Sequence, residues 1–147
     1  MSGRGLLDTS TLLLLPRLER ARGDLPEQAL ISTITLAELA VGPLVATDVA
    51  ERAARLAGVQ QAEADFEPIP FDAAAARAFG RVAADLRTAG RKPAARAFDA
   101  MIAAIAIANG LPLYTCNPSD FAGIGGLEIV PVPHPDSGTG IPYTPAR

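Results

Sequence analysis

The chain has 147 residues, of which 49% are apolar, and a formal net charge of −3. This length suits one domain with its own core, and the mildly acidic charge argues against binding nucleic acid through bulk positive charge, while leaving room for a local basic patch. The single cysteine excludes an internal disulfide, and the single histidine excludes mechanisms that need two imidazole groups.

The leucine-rich start does not predict a targeting or membrane segment. Asp8 interrupts its apolar run, and no small-residue cleavage site follows closely. The most apolar stretch elsewhere, residues 100–108, is far shorter than the ~20 residues that span a bilayer. We therefore expect a cytoplasmic protein with no membrane partner.

Apolar patterning and turn residues predict strands that alternate with helices. Strands are predicted over residues 5–7, 29–34, 111–116 and 127–132, with at best an edge strand over 66–71. Helices are predicted from residue 11 onward and over residues 35–41, 48–65, 72–88 and 94–109. This alternation predicts an α/β fold with a mainly parallel central sheet.

Breakers and caps set the expected limits of several elements. Gly42-Pro43 should end the helix over 35–41, and Asp72 should cap the helix that follows it. The helix over 94–109 is apolar nearly all round after Asp99, which predicts burial. Residues 1–132 form the predicted domain, and the Pro- and Gly-rich residues 133–147 are expected to be an extended, poorly ordered tail.

Four acidic residues directly follow or interrupt apolar segments. They are Asp8 after the first predicted strand, Glu38 after the second, Asp99 early in the buried helix, and Asp120 after the strand over 111–116. The carboxyl ends of parallel strands open onto one crevice, and a carboxylate is favoured near a helix N-terminus. We therefore expect all four at one edge of the sheet.

Four carboxylates in one place repel one another, at a cost of several kcal/mol for each close pair at an effective dielectric of about 20. Either their pKa values rise or a cation compensates. Mg²⁺ or Mn²⁺ suits an all-oxygen cluster, with calcium as an alternative.

Each acid also has a purely structural interpretation, which remains open at this point. Asp8 could cap the following helix, and Glu38 could pair with a buried arginine. Asp99 could pair with Arg96 three residues earlier, and Asp120 could be a turn residue.

The segments around the four acids resemble, in order, the motifs of PIN-domain ribonucleases, specifically the VapC-type toxins of bacterial type II toxin–antitoxin systems. The similarity extends over residues 6–131. The matching segments are Leu6-Leu7-Asp8-Thr9-Ser10, Thr35-Leu36-Ala37-Glu38-Leu39, Phe98-Asp99-Ala100-Met101-Ile102-Ala103-Ala104 and Thr115-Cys116-Asn117-Pro118-Ser119-Asp120-Phe121.

The resemblance implies a three-layer α/β/α domain and a metal-dependent endoribonuclease toxin that a cognate VapB-type antitoxin neutralises. Mg²⁺ or Mn²⁺ held by the acidic quartet would activate water, and cleavage would leave a 5′-phosphate and a 3′-hydroxyl. A homodimer is also implied. Carried over by resemblance, the site residues are the catalytic and metal-binding Asp8, Glu38, Asp99 and Asp120, with Thr9, Ser10 and Asn117 as supporting polar groups.

A local excess of basic residues lies just before Asp99. Residues 77–96 contain six basic side chains and one acid, a local net charge of +5. One interpretation is an RNA-binding surface formed by Arg87, Arg91, Lys92 and Arg96, which would give marked salt dependence. The other is an ordinary solvated helix face.

The sequence also allows functions other than that of a nuclease. The alternative is a catalytically weak PIN-like module that acts mainly through protein–protein binding, with helices 35–41 and 48–65 forming an apolar groove for a partner helix. In VapC-type proteins that groove receives the antitoxin. A phospho-receiver is disfavoured because Lys92 is in the wrong place, and a phosphatase because Asp8-Thr9-Ser10-Thr11 lacks a second aspartate. A DNA structure-specific nuclease of related architecture usually has a longer chain and more acids.

Overall fold

The computed structural model describes residues 3–20 and 24–136. Within these ranges the elements follow in the order β1 (Arg4–Leu7), α1 (Thr9–Arg20), β2 (Gln28–Leu30), α2 (Thr33–Val45), α3 (Val49–Asp65), α4 (Ala73–Thr88), a 3-10 turn (Pro93–Arg96), α5 (Ala97–Ala108), β3 (Leu113–Thr115), a second 3-10 turn (Pro118–Phe121) and β4 (Ile129–Pro131).

The four strands form one parallel sheet in the order β2-β1-β3-β4. Leu6 of the central strand β1 pairs with Leu30 of β2 on one side and with Leu113 of β3 on the other. Because the strands all run in one direction, their carboxyl ends lie along the same edge of the sheet. That edge is where the predicted acids are expected.

Helices cover both faces of the sheet. Successive side chains of a strand point to opposite faces, so the two leucines of β1 enter different clusters. Leu6 packs in the cluster that includes residues of α4 and α5, whereas Leu7 packs with Leu18 of α1 and Tyr114 of β3. The predicted three-layer α/β/α fold is confirmed.

The burial predicted for the helix over 94–109 and the predicted cap at Asp72 are confirmed, whereas the predicted start of the helix is wrong because a 3-10 turn precedes α5, which begins at Ala97. Within α5, the residues from Ile102 to Ala106 are fully buried. The Asp72 side chain accepts a hydrogen bond from the Ala75 N–H at 3.0 Å and caps α4.

The predicted helix end at Gly42-Pro43 is wrong, because α2 continues to Val45. Pro43 lies in the last turn of α2. The carbonyl oxygen of Gly42 is one of the four at the end of a helix that have no hydrogen-bond donor within the helix. That carbonyl accepts a hydrogen bond from Arg55 Nη1 of α3 at 3.0 Å, and a Cβ at Gly42 would lie 3.3 Å from the Arg55 side chain. Close packing of α2 on α3 therefore outweighs the local breaker signal.

Residues 66–71 do not form a strand of the sheet. They contribute only an isolated bridge between Ile69 and Ser32, since Pro68 and Pro70 have no N–H to donate to a ladder. No helix in the ranges that the structure describes is long and apolar enough to cross a membrane.

The predicted boundary at residue 132 stays a prediction. Val132 belongs to the core on the α1 side of the sheet. Directly after it, His134 is buried and Asp136 forms an ion pair with Arg17 of α1. The remainder of the predicted tail, residues 137–147, lies outside the described residues.

Candidate active site

Asp8 follows β1 directly and is buried. Its Oδ1 accepts the Thr11 N–H at 3.1 Å, which caps the first turn of α1. Its Oδ2 accepts the Thr115 hydroxyl of β3 at 2.7 Å. The capping interpretation is therefore correct, and it coexists with a position at the edge of the sheet. Burial raises the pKa of the Asp8 carboxyl, and hydrogen bonds from Thr11 and Thr115 oppose that rise.

Glu38 lies on α2 and faces the start of α1. Its Oε1 accepts the Thr9 hydroxyl at 2.8 Å, and Thr9 also lies 3.0 Å from the Thr35 hydroxyl. Burial raises the pKa of the Glu38 carboxyl, Thr9 lowers it, and the charge of Asp8 raises it further. In the described residues no arginine forms an ion pair with Glu38, so the predicted alternative is not what the structure shows.

Asp99 and Asp120 lie on either side of one arginine. Arg96 Nη1 donates to Asp120 Oδ1 at 2.8 Å and lies 4.0 Å from Asp99 Oδ2. The predicted pairing of Arg96 with Asp99 is thus present but long, and the shorter contact is to Asp120. Asp120 also lies in a 3-10 turn, as its structural interpretation expects.

The charges of the four acids act on one another. The pKa of Asp99 is raised to about 6, first by burial and then by the charges of Asp120, Asp8 and Glu38, while Arg96 lowers it. Asp120 also raises the pKa of Asp8. The structure therefore brings together carboxylates that are up to 112 positions apart in the numbering of the chain, from Asp8 to Asp120.

The donor chemistry of this cluster fits a hard divalent cation. Burial and mutual repulsion hold three carboxyls, those of Asp8, Glu38 and Asp99, above their ordinary pKa values, and a cation between them would favour their charged forms. In the described parts of the chain, however, no group of three or more aspartate, glutamate, histidine or cysteine side chains is placed so that it could hold a metal ion. The Asp120 carboxylate forms an ion pair with the Arg96 guanidinium instead.

The predicted supporting groups contact the acids directly or through one neighbour. Thr9 holds Glu38, and Ser10 donates weakly to Asp8 Oδ2 at 3.5 Å. The Asn117 amide donates to the Ser10 hydroxyl at 3.1 Å. Thr115, which the sequence did not single out, donates its hydroxyl to Asp8 Oδ2 and accepts the Asn117 N–H at 2.9 Å. Its position at the carboxyl end of β3 was the available signal.

The four predicted RNA-binding residues fall into two pairs. Arg91 donates to the carbonyl oxygens of Ser119 and Asp120 at 2.6 and 3.1 Å, and Arg96 binds the Asp120 side chain. The other pair, Arg87 near the end of α4 and Lys92 before the first 3-10 turn, is exposed. That these four residues bind RNA stays a prediction.

Comparisons with known proteins agree on one family. The sequence profile of the PIN domain matches residues 6–127. Ribonuclease VapC5 of Mycobacterium tuberculosis (strain ATCC 25618 / H37Rv) is 37% identical over 131 residues, which cover 87% of this chain and 93% of that protein. Ribonuclease VapC8 of the same strain is 38% identical over 104 residues, covering 71% and 91%.

A solved structure shares the fold. The crystal structure of VapBC-5 from Mycobacterium tuberculosis, a member of the VapBC family of toxin-antitoxin systems, matches with a TM-score of 0.72 and 34% sequence identity. The match covers 88% of this chain and 98% of the solved chain.

Proposed function

Because the chain belongs to the PIN-domain family and, within it, to the VapC ribonucleases, we propose that it is a metal-dependent endoribonuclease toxin. Its substrate is RNA, and its reaction is the hydrolysis of phosphodiester bonds with water activated by Mg²⁺ or Mn²⁺. The observation that supports the proposal is the placement of the acids: Asp8 follows β1 and lies beside Thr9, which donates to Glu38, and Asp99 and Asp120 lie on either side of Arg96. The charges of Asp120, Asp8 and Glu38 also raise the pKa of Asp99.

The chain's own residues would hold the cation and keep its ligands in place. A bound divalent cation supplies an activated water and neutralises charge on the phosphate. Asp8 is fixed from both sides by Thr11 and Thr115, and Glu38 is fixed by Thr9. Because these contacts fix the carboxylates in advance, little side-chain freedom is lost when the ion binds.

A metal-free route through histidine is disfavoured by composition. Ribonucleases without a metal commonly use two histidines as general acid and base, and this sequence contains only His134. His134 is buried, and its Nδ1 accepts the N–H of Asp136. The acids at the sheet edge are therefore the better candidates for chemistry.

Cleavage of a pool of cellular RNA by the purified chain in Mn²⁺, with end-mapping of the products, tests the proposal. We expect products with a 5′-phosphate and a 3′-hydroxyl, and no cleavage when the metal is chelated. Asp8→Asn and Asp99→Asn should each lose at least ~10²-fold in rate while keeping the wild-type circular dichroism spectrum. Wild-type activity in the double variant would refute the assignment of these residues.

A specific surface favours protein binding as a second role of the same chain. The α2–α3 apolar face consists of five side chains that are between 47% and 83% exposed: Val41, Leu44, Val45, Val49 and Leu56. Large exposed apolar patches mark interaction sites. We propose that this face binds a VapB-type antitoxin. We also propose that the chain forms a homodimer, and sedimentation analysis of the purified chain would test its oligomeric state.

The antitoxin proposal is tested with matched surface variants. Leu44→Glu places a charge on the α2–α3 apolar face, whereas Leu13→Glu does so on α1, where Leu13 is 64% exposed. Leu44→Glu should cleave RNA at the wild-type rate but escape inhibition by the antitoxin, and Leu13→Glu should remain inhibited. Equal inhibition of both variants would show that the antitoxin binds elsewhere. A chain that binds the antitoxin but neither Mn²⁺ nor RNA would be the non-catalytic module.

A further inference from the structure

We propose that the ring of Phe98 stacks against an unpaired base of the RNA substrate, next to the acidic cluster. This inference rests on the proposed function, since it concerns how the same site holds its RNA. It adds an apolar contact to a site whose other candidate residues are all charged or polar. Phe98 would bind the base, while the next residue, Asp99, belongs to the acidic cluster.

Phe98 is the one exposed aromatic side chain in the part of the chain that the structure describes. It is 55% exposed and belongs to neither of the apolar clusters that flank the sheet. Aromatic side chains usually supply much of the apolar area that a core buries, so the packing of this domain does not explain the position of Phe98. The other aromatic residues in the described ranges are buried or half-buried: Phe66, Phe71, Phe79, Tyr114 and Phe121.

The residues before Phe98 leave its ring accessible. Phe98 is the second residue of α5, and a long side chain on a helix lies over the turn that precedes it. Here that turn is the 3-10 turn Pro93–Arg96, in which Ala94 and Ala95 are exposed and have only methyl side chains. These two positions therefore present no side chain large enough to cover the ring, and a flat base can lie against it.

The position of Phe98 in the chain joins a positive segment to the acidic cluster. Residues 77–96 have a net charge of +5 and end two positions before Phe98, and Asp99 follows it directly. Arg87 and Lys92 of this segment are exposed. A phosphate backbone attracted by these charges would pass beside Phe98 on its way to the acids. Proteins that bind unpaired nucleotides combine a positive surface with aromatic rings in this way.

A single exposed ring among charged residues favours a base over a protein partner. Protein interaction sites are contiguous apolar patches, as the five side chains of the α2–α3 apolar face illustrate. In the described residues that follow α3, Phe98 is the only exposed large hydrophobic side chain. One ring is too little for a protein interface, but it is all that one base needs.

A tryptophan at position 98 tests the stacking directly. The chain contains no tryptophan, so Phe98→Trp introduces a single indole whose emission a stacked base should quench. Single-stranded poly(U), added in EDTA so that it is not cleaved, should quench this emission, whereas inorganic polyphosphate, which has charges but no bases, should not. Leu13→Trp is the matched control because Leu13 of α1 is 64% exposed, and poly(U) should not quench it. Equal quenching by poly(U) and polyphosphate would overturn the inference.

The affinity of the full chain for a labelled single-stranded RNA, measured by fluorescence anisotropy in EDTA, separates stacking from a general apolar contact. Phe98→Leu keeps an apolar side chain but removes the ring, and Phe98→Ala removes both. Each should weaken binding by about 5- to 100-fold, the range for the loss of one base–aromatic contact. Phe98→Tyr keeps the ring and should stay within about 3-fold of the wild type. Thermal melts establish that each variant is folded.

The outcomes distinguish this inference from the proposed function. If RNA binding needs the cation, the KM for cleavage in Mn²⁺ replaces the affinity and should rise by the same factor in Phe98→Leu. An unchanged affinity or KM in Phe98→Leu would overturn the inference and leave the nuclease intact. The same result together with escape from antitoxin inhibition would make Phe98 a protein contact instead. A wild type that neither binds RNA nor cleaves it in Mn²⁺ would refute the proposed function and this inference with it.

Discussion

Replacing Thr115 by valine tests how the structure holds its most buried carboxylate. Thr115 is fully buried, and its hydroxyl makes two hydrogen bonds, one donated to Asp8 Oδ2 at 2.7 Å and one accepted from the Asn117 N–H at 2.9 Å. Valine has nearly the same shape but makes neither contact. The bond to a carboxylate contributes about 1.5–3 kcal/mol and the neutral bond about 0.5–1.5 kcal/mol, so the free energy of unfolding should fall by about 2–4.5 kcal/mol.

The same substitution should weaken metal binding. Loss of the Thr115 hydroxyl removes one of the hydrogen bonds that lower the pKa of Asp8, so the charged form of this carboxyl becomes less favourable. Residues that orient a ligand typically affect metal affinity by about 10–100-fold. Urea unfolding and a Mn²⁺ titration measure the two effects in one preparation.

The matched control is Thr88→Val. Thr88 is exposed, and its hydroxyl donates to the Ala84 carbonyl within α4. Its substitution should change stability by no more than about 0.5 kcal/mol and leave Mn²⁺ affinity unchanged. If Thr115→Val matched this control in both measurements, the argument that Thr115 positions Asp8 would be refuted.

The charges and packing of the molecule lead to three further predictions. Without a divalent cation, the pKa of Asp99 is about 6 in the folded chain, against an ordinary value of 3.8. Because the folded state binds this proton more tightly than the unfolded state, the free energy of unfolding falls as the pH rises between those two values. The melting temperature of Asp99→Asn relative to the wild type should therefore increase from about pH 4.5 to about pH 7, and a constant difference would contradict the shift. Gly5→Ala would place its Cβ 2.4 Å from Tyr114 Cε1 and should cost about 1–3 kcal/mol in urea unfolding, with partial recovery in a Gly5→Ala, Tyr114→Leu double variant. An unchanged free energy of unfolding in Gly5→Ala would mean that β1 and β3 move apart without cost to admit the added methyl group. Neutralising the exposed Arg87 or Lys92 should weaken RNA binding. It should also reduce the slope of log affinity against log salt concentration by about 1 for each phosphate contact that the variant loses. An unchanged slope would mean that RNA binds elsewhere on the protein.

The sequence was sufficient to single out the candidate acids because their signal is local. Asp8 follows a short apolar strand, and Asp99 interrupts an apolar helix, so each is visible without knowledge of its neighbours. The parallel topology then requires that residues after neighbouring strands meet at one edge. Alternation of strands and helices was likewise enough to predict the α/β fold.

What the sequence could not predict depends on contacts between distant segments. Arg96 and Asp120 are 24 residues apart, and nothing near either residue indicates that they form an ion pair. The continuation of α2 through Gly42-Pro43 depends on packing against Arg55 of α3. Local propensity is a weak guide where tertiary contacts supply the larger free energy.

The double role of Asp8 affects how an inactive form of this protein should be made. Its Oδ1 accepts the Thr11 N–H at the start of α1 while its Oδ2 accepts the Thr115 hydroxyl, so one side chain begins a helix and also belongs to the proposed active site. Asp8→Ala would fray that helix as well as remove a proposed metal ligand, and a loss of activity in this variant would not distinguish misfolding from a missing ligand. Asparagine retains an oxygen that can cap a helix about as well as aspartate, which makes it the informative replacement at this position.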